Sequence, residues 1–381
     1  MRERYDVVVC GGGPVGAAFA LGLQGCGLDV AVLEAREAGS KVNELKPLAL
    51  SYGSRLILER LGVWPALTPA TSIDRIHISQ RGSFGRTELK AAEARLPALG
   101  YVVDYAGLVA ALDGALARSA VTVVQGARVT TLAHDPTSAR IEYETQQGTR
   151  ECCATLVAIA EGSALAADIG IETKEYGQCA LTARVDAARP NQHDAYERFT
   201  PDGPIALLPF DRGYALVWTM RPEAAAHWTS ATPEAFLAHL YASFGERLGR
   251  FNAVSARSQH RLALRIAQRT TWGRAVLIGN AAQALHPVAG QGFNLGLRDA
   301  WELATEIKRH GPAGSEVLER YRAHRRIDRA GGIAFTDTLV RLFSNDLAPL
   351  AIARGAGLVL LDCIPPAKDW MVRRMVFGAR G

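Results

Sequence analysis

A glycine-rich turn near the N-terminus has the spacing of a phosphate-binding site. Residues 11–16 read Gly-Gly-Gly-Pro-Val-Gly and contain the pattern G-x-G-x-x-G. In this pattern the first glycine allows a tight turn, the second lets the backbone approach a pyrophosphate, and the third lets a helix pack closely on a strand. The N-terminus of that helix presents N–H groups and partial positive charge to the phosphates. The turn predicts a dinucleotide-binding site.

The segments on either side of the turn support this interpretation. The β-branched run at residues 7–10 predicts a strand before the turn, and residues 17–24 predict a helix after it. A second predicted strand, residues 30–33, ends at Glu34, whose carboxylate is placed to accept hydrogen bonds from ribose hydroxyls. Because a 2′-phosphate would meet this negative charge, the pattern favours FAD or NAD in this site.

A second glycine-rich segment lies far down the chain. A predicted strand at residues 275–278 leads into residues 279–294, which read Gly-Asn-Ala-Ala-Gln-Ala-Leu-His-Pro-Val-Ala-Gly-Gln-Gly-Phe-Asn, and a helical pattern follows. Gly290 and Gly292 allow an electron-rich ligand edge to approach backbone N–H groups closely. Asn280 is either a turn-forming residue or an acceptor for a ribose or ribityl hydroxyl. We expect the far end of one extended cofactor to reach this segment.

The composition is that of a globular protein. The chain has 381 residues, of which 48% are hydrophobic and 21% charged, which favours about two domains and excludes collagen-like, coiled-coil and disordered classes. Lys and Arg number 43 against 38 Asp and Glu, too small a surplus for a nucleic-acid partner. The six cysteines are scattered without metal-ligand spacing, so we expect no metal site and a reducing, cytoplasmic compartment. The apolar stretches are interrupted, which predicts no membrane-spanning helix.

Several segments resemble the FAD-dependent aromatic hydroxylases of ubiquinone biosynthesis, within the class typified by para-hydroxybenzoate hydroxylase. They are the N-terminal turn with Glu34, residues 48–54 (Leu-Ala-Leu-Ser-Tyr-Gly-Ser), residues 196–209 and, above all, residues 279–299. The resemblance covers nearly the whole chain. It is strongest to the branch that hydroxylates 2-polyprenyl-6-methoxyphenol.

Fold and domain limits follow from the resemblance together with the strand pattern. We expect an α/β fold in which a discontinuous Rossmann-like FAD-binding domain is joined to a mixed-sheet substrate domain and a helical C-terminal tail. Predicted strands near residues 73–79, 206–209 and 214–219 indicate a substrate sheet built from separated segments. We place the FAD-binding domain at residues 1–70, 98–175 and 262–340, the substrate sheet at 71–97 and 176–261, and the tail at 341–381.

The resemblance implies a single-component flavin monooxygenase that hydroxylates the ring of a polyprenyl phenol. In such enzymes NAD(P)H reduces FAD, the reduced flavin and O2 form a C4a-hydroperoxide, and its distal oxygen attacks the ring. No second G-x-G-x-x-G follows a strand, so NAD(P)H is expected to visit transiently. The helix start at Gly290 is the candidate for stabilising negative charge on the reduced flavin. We assign no acid–base residue, since His286 precedes Pro287 and is expected to act through its backbone.

The predicted cofactor contacts combine the two glycine-rich segments with the family pattern. They are Gly11, Gly13, Pro14, Val15, Gly16, Glu34, Ala35, Lys46, Glu161, Gly279, Asn280, Pro287, Gly290, Gly292, Phe293 and Asn294.

Two of these positions depart from the family pattern. Glu161 stands where the family usually has Asp, and Lys46 stands near an expected Arg, which replaces a bidentate guanidinium by a point charge. We therefore expect weaker binding of FAD or weaker docking of NAD(P)H. Two alternatives stay open: a non-catalytic or weakly flavin-binding scaffold subunit of a quinone-synthesis complex, and an FAD-dependent isoprenoid reductase.

The C-terminal tail mixes apolar side chains with paired arginines. Trp370, Met371, Met375 and Phe377 flank the pair at residues 373–374. Such a segment suits the inner face of a membrane or a helix of a partner in quinone synthesis, and the alternative is ordinary packing on the core.

Overall fold

The chain forms an α/β structure in a computed structural model that describes residues 3–40, 46–161, 165, 169–286, 290–343 and 348–379. Its helices are α1 (Pro14–Gly22), α2 (Tyr52–Arg60), α3 (Tyr105–Ala117), α4 (Pro222–Ser230), α5 (Pro233–Phe244), α6 (Gln291–His310), α7 (Ser315–Phe343), α8 (Ala348–Cys363) and α9 (Pro365–Phe377). Its strands are β1 (Arg4–Cys10), β2 (Val30–Glu34), β3 (Pro47–Ser51), β4 (Thr71–Ile73), β5 (Arg75–Gln80), β6 (Arg86–Lys90), β7 (Gly100–Asp104), β8 (Thr122–Gln125), β9 (Arg128–His134), β10 (Ala139–Thr145), β11 (Gly148–Ile159), β12 (Ile171–Ala187), β13 (Asp194–Thr200), β14 (Gly203–Phe210), β15 (Gly213–Met220), β16 (Phe251–Val254), β17 (Ser258–Ala267), β18 (Thr271–Trp272), β19 (Ala275–Leu277) and β20 (Gln283–Ala284). The predicted fold class is confirmed.

The first sheet has a parallel core centred on β1. Its order is β18-β19-β11-β1-β2-β8, and β10 and β9 extend it through β11. β1 pairs in parallel with β2 on one side and β11 on the other. Both faces of β1 are covered, which is why its Val-Val-Val-Cys run is fully buried. The strand order reverses between β1 and β11, and ligands of open α/β sheets bind at the carboxyl ends of strands at such a point.

The second sheet is mixed; helices pack on one of its faces, and the other face lines a cavity. Its order is β20-β17-β12-β15-β14-β13-β5-β6, with β16 on β12, and only the pairing of β13 with β5 is parallel among the pairs described. Alternate residues of its strands pack against α4 and α5 in one apolar cluster, which includes Tyr196, Leu207 and Leu216. The intervening residues line a cavity. A third, antiparallel sheet has the order β3-β7-β4.

The last helices pack on the second sheet and on α2. The ring of Phe377 on α9 meets that of Tyr52 on α2 edge to face, with centroids 6.3 Å apart. Leu358 on α8 packs with Phe199 of β13 and with Val340 of α7. α7 passes through the predicted start of the tail at residue 341 without a break. Among the described helices, none is both long and apolar enough to cross a membrane.

Candidate flavin and substrate site

One cavity of about 870 Å³ joins the two glycine-rich segments to the inner face of the second sheet. This volume lies within the range of small-molecule sites. The predicted contacts that line it are Gly13, Pro14, Val15, Lys46, Gly279, Asn280, Gly290, Gly292, Phe293 and Asn294. Pro287 falls outside the described residues. The remaining predicted contacts do not line the cavity: Gly11, Gly16, Glu34, Ala35 and Glu161.

The three glycines of the N-terminal turn have different structural roles. Gly11 has a φ of +100°, and a β-carbon on it would lie 3.0 Å from the β-carbon of Glu161. A β-carbon on Gly16 would overlap the carbonyl oxygen of Gly11. By contrast, no described atom lies within 4 Å of the β-carbon position of Gly13, which borders the cavity. Gly11 and Gly16 allow the turn to form, whereas Gly13 leaves space for a ligand.

Glu34 fixes the turn through backbone hydrogen bonds. Its carboxylate accepts hydrogen bonds from the backbone N–H groups of Gly12 and Arg36, both at 2.7 Å. The guanidinium of Arg36 lies 3.3 Å from the same carboxylate. A carboxylate has about four lone-pair sites, so Glu34 keeps acceptor capacity for the ribose hydroxyls that the sequence assigns to it. Ala35 follows directly, at the end of β2.

The second glycine segment packs directly on the first. Gly279 has a φ of +60°, and a β-carbon on it would lie 3.0 Å from Cγ1 of Val15 on α1. A β-carbon on Gly296 of α6 would lie 2.9 Å from the α-carbon of Gly279. Only glycine fits such close approaches. Because the two segments are in contact, a single extended cofactor is able to span both.

A buried carboxylate holds the second segment in place. Asp299 accepts hydrogen bonds from the backbone N–H of Gly279 at 3.1 Å and from Nε2 of Gln283 at 2.7 Å. Its other oxygen accepts a hydrogen bond from Nε of Arg325 at 2.7 Å. Burial lowers the pKa of this guanidinium, but the charges of Asp299 and Asp328 outweigh that effect and raise it. Sequence reasoning assigned no role to Arg325. The sequence places Asp299 in the family motif but does not reveal its partner, because Arg325 meets it only where α6 packs on α7.

Asn294 joins the start of α6 to β3. Its amide group donates to the carbonyl oxygens of Ala49 at 3.0 Å and Gly290 at 2.7 Å. Its side-chain oxygen accepts from the N–H of Ser51 at 2.8 Å and from the hydroxyl of Ser54 at 2.7 Å. An amide side chain makes about four hydrogen bonds, so this one has no capacity left for a cofactor. Its side chain positions the loop instead.

Helices α1 and α6 begin at the cavity without side-chain caps. Gly13 and Gly290 are their N-cap residues, and neither helix has a side-chain hydrogen bond at its cap. By contrast, Ser51 caps α2 and Asp104 caps α3. An uncapped N-terminus presents N–H groups and partial positive charge to a ligand. The open space at Gly13 and the start of α1 fit the pyrophosphate of FAD. The start of α6 fits the electron-rich edge of its ring.

The two departures from the family pattern lie at different distances from the cavity. Lys46 lines it, and its ammonium group lies 5.7 Å from the centre of the Tyr105 ring. Glu161 follows β11 behind Gly11, and its charge adds to burial in raising the pKa of Cys10. Only Lys46 is therefore placed to contact a ligand in the cavity through its side chain.

His286 is buried outside the cavity lining. Its ring is fully buried and meets the ring of Tyr176 edge to face, with centroids 5.3 Å apart. Burial lowers the pKa of His286 to about 4, so the imidazole is neutral at physiological pH.

Glu197 is a cavity residue that sequence reasoning did not identify. It lies on β13 in register with Ile78 of β5 and Ala206 of β14, and all three line the cavity. Burial raises the pKa of its carboxyl group to about 7. The sequence did not single it out, because the same strand also carries Asp194 and Arg198.

A second group of polar side chains lies on α6 and α7. The ligand atoms of Glu302, Glu306 and His324 lie within 4.8 Å of one another. None of the three lines the cavity, so they take no part in this site.

Comparison with known proteins agrees with the site. The model of the FAD binding domain family matches residues 4–331. The chain belongs to this family. The ubiquinone hydroxylase UbiL of Rhodospirillum rubrum is 35% identical over 97% of this chain and 88% of its own length. The 3-demethoxyubiquinol 3-hydroxylase of Escherichia coli is 32% identical over 95% of each chain.

Solved structures show the same fold. The p-nitrophenol 4-monooxygenase PnpA of Pseudomonas putida matches over the full length of both chains, with a TM-score of 0.80 at 19% identity. Aklavinone-11 hydroxylase, solved with FAD and aklavinone, matches with a TM-score of 0.69 at 20% identity over 89% of this chain and 69% of its own. The predicted identity as an FAD-dependent monooxygenase of the ubiquinone-hydroxylase group is confirmed by the family and its relatives.

Proposed function

We propose that the protein hydroxylates the aromatic ring of a polyprenyl phenol, with NAD(P)H as a transient co-substrate and O2 as the oxidant. One observation carries the substrate class: the cavity continues from the glycine segments along an apolar wall into the C-terminal helices. Its lining there includes Phe335, Leu339, Leu358, Leu361, Met371 and Met375. An apolar channel of this kind suits a hydrocarbon tail attached to a ring.

The residues of this chain bind and orient the reactants. FAD, when bound, supplies the redox chemistry and the activation of oxygen. Gly13 and the start of α1 would hold its pyrophosphate, and Glu34 its ribose. The uncapped start of α6 at Gly290 and Gly292 is the element suited to stabilise negative charge at a flavin ring edge. The apolar walls exclude water from the reacting ring.

The prenyl tail provides a direct test of this substrate class. The assay compares phenols with no side chain, one isoprene unit and two units in the presence of NAD(P)H and O2. We expect kcat/KM to rise with each unit, because each buried methylene contributes about 0.8 kcal/mol. Equal kcat/KM values across the series would contradict a role for the apolar channel.

The products distinguish the alternative functions. A hydroxylase adds one oxygen atom to the ring, whereas an isoprenoid reductase adds two hydrogens to the tail. A scaffold subunit consumes no NAD(P)H in the presence of the phenol. Mass spectrometry of the products, together with the consumption of NAD(P)H, separates the three.

We also propose that the C-terminal helices rest on the inner face of a membrane, where quinone-synthesis proteins meet their lipid substrates. Leu360, Ile364 and Trp370 are exposed on α8, after it and on α9, and these helices also line the cavity. Arg373 is exposed beside them. Apolar side chains next to a cation suit an anionic lipid surface, and the same helices would let the prenyl tail enter the cavity from the lipid.

Vesicle binding tests this placement. The Leu360→Ser, Trp370→Ser double variant should lose most of its sedimentation with anionic vesicles, and the matched variant Ile327→Ser, at another exposed apolar residue, should keep it. Equal binding by all three proteins would contradict the placement.

A further inference from the structure

Glu197 places a carboxylate in an otherwise apolar part of the cavity wall. Along β13, Tyr196 packs on the helix-covered face, and Glu197 points to the cavity face. Ile78 and Ala206 are its cross-strand neighbours, and Val217 continues the same row on β15. These three neighbours also line the cavity. The carboxylate is therefore directed at whatever fills the cavity.

Among the described residues, none donates a hydrogen bond to the buried Oε1 of this carboxylate. The charged cluster nearest in sequence lies on the opposite face, where His77 stacks on Tyr196 and Arg75 pairs with Asp194.

The groups on the cavity side do not compensate for the missing partner. Burial alone accounts for the raised pKa of Glu197, with no contribution from a neighbouring charge. Among the described residues, the charged and titratable groups of the cavity lining include Lys46, Tyr105, His260, Arg261 and Arg265. Behind the lining lie Lys174, Tyr176, Asp337, Arg341, Arg354, Asp362 and Lys368. Of these, Asp337 is held by Lys174 and Tyr176, and Asp362 by Lys368.

An unpaired carboxylate in an apolar wall lowers the stability of the fold. Burying such a group without a hydrogen-bond partner costs free energy that packing contacts do not offset. Titratable groups with shifted pKa values in a cleft are concentrated at functional sites. A ligand that donates a hydrogen bond at this point would remove the penalty.

We propose that Glu197 binds the hydroxyl group of the substrate phenol and accepts its proton during hydroxylation. This role rests on the proposed phenolic substrate. In the step, the phenol O–H bond breaks and its electron pair stays on the phenol oxygen. The proton forms a bond to a carboxylate oxygen of Glu197, and nothing is oxidised or reduced. The resulting oxygen anion raises electron density at the ortho and para ring carbons, which favours attack by an electrophilic oxygen.

A binding comparison isolates this hydrogen bond from turnover. FAD-loaded protein without NAD(P)H is titrated with 2-geranylphenol and with its methyl ether, which has no hydroxyl proton to donate. The preference is the ratio of the two dissociation constants. We expect wild-type protein at pH 8 to prefer the phenol roughly 10-fold, as a charge-assisted hydrogen bond predicts.

The variants assign the preference to one side chain. Glu197→Leu should abolish it, and Glu197→Gln should reduce it several-fold. Glu172→Gln, on an exposed residue of β12, should leave it unchanged.

The pH dependence separates this role from a structural one. The wild-type preference should fall as the pH drops through about 7, because the carboxylate becomes protonated there. Neither Glu197 variant should show that decline.

Two outcomes overturn the inference in different ways. An unchanged preference in Glu197→Leu would exclude Glu197 as the acceptor while leaving the phenolic substrate in place. Failure of wild-type protein to bind either compound would overturn the substrate class and this role together.

Discussion

Gly16 lies so close to Gly11 that a β-carbon on Gly16 would overlap the Gly11 carbonyl oxygen. This contact holds α1 against the end of β1 and is required by the fold. Gly13, between them, has a φ of −60° and open space around its β-carbon position. The same turn therefore contains a structural glycine and a ligand-facing glycine, which mutation can separate.

We predict that Gly13→Ala folds normally and loses most of its bound FAD, because the added methyl group occupies the pyrophosphate position. Gly16→Ala should instead lower the free energy of unfolding. Gly114→Ala, in α3 and near only the flexible end of Arg118, serves as the control: it should leave the flavin content unchanged and should not lower the free energy of unfolding, because alanine is the better helix former. Flavin absorbance and urea unfolding measure the two effects. Full flavin content in folded Gly13→Ala would refute the placement of the pyrophosphate.

The glycine at the start of α6 should control flavin chemistry more than folding. A β-carbon on Gly292 would lie 3.9 Å from that of Leu285, an ordinary contact. Gly292→Ala should therefore keep the stability of the wild type but hinder the approach of the flavin ring to the N–H groups of the helix. We expect a lower flavin reduction potential and slower ring hydroxylation. A wild-type potential with wild-type turnover would show that this loop has only a structural role.

Restoring the family residues at positions 46 and 161 should strengthen FAD binding to different degrees. Lys46→Arg should tighten FAD binding by about 1 kcal/mol, because a guanidinium in the cavity offers a bidentate grip. Glu161→Asp should have the smaller effect, since Glu161 lies behind Gly11 and outside the cavity lining. Fluorescence titration with FAD measures both. A larger gain from Glu161→Asp than from Lys46→Arg would contradict this assignment.

Glu197 should make the stability of the protein depend on pH. Its pKa is about 7 in the folded state against an ordinary value of 4.5, so the folded state binds the proton more tightly than the unfolded state. The folded state is therefore most stable at low pH, where Glu197 is protonated, and it loses this stabilisation as the pH rises from about 4.5 to 7. Glu197→Gln should be more stable than the wild type at pH 8, by on the order of 1 to 3 kcal/mol. Urea unfolding at pH 5 and pH 8 tests this, and a variant less stable at pH 8 would contradict it.

The buried pair of Asp299 and Arg325 should link folding to cofactor binding. Asp299→Asn removes the charge that faces Arg325 and weakens the hold on the Gly279 N–H. We expect a loss of about 3 kcal/mol in unfolding free energy, together with weaker FAD retention. Asp186→Asn, at an exposed residue of β12, is the control. Retained stability in Asp299→Asn would show that Asp328, which also pairs with Arg325, suffices.

The sequence predicted the features that depend on local spacing. The G-x-G-x-x-G turn, the strand ending at Glu34 and the helix after Gly290 follow from backbone requirements of neighbouring residues, and β1, β2 and α6 are found there. The role of Asn294 did not follow, because its partners Ser51 and Ser54 come from a distant segment.

The substrate side of the cavity was harder to predict for a related reason. Strand alternation shows that Tyr196 and Glu197 point to opposite faces, but it does not show which face meets the cavity. That depends on where α4, α5 and the C-terminal helices pack.

The central claim is that this chain inserts an oxygen atom from O2 into the ring of a polyprenyl phenol. The most direct test supplies ¹⁸O2 and NAD(P)H to the FAD-loaded protein with 2-geranylphenol and locates the label by mass spectrometry. The account predicts one ¹⁸O atom on the ring of each product molecule. NAD(P)H consumption with an unlabelled ring, or a product that has gained only hydrogen in its tail, would contradict it.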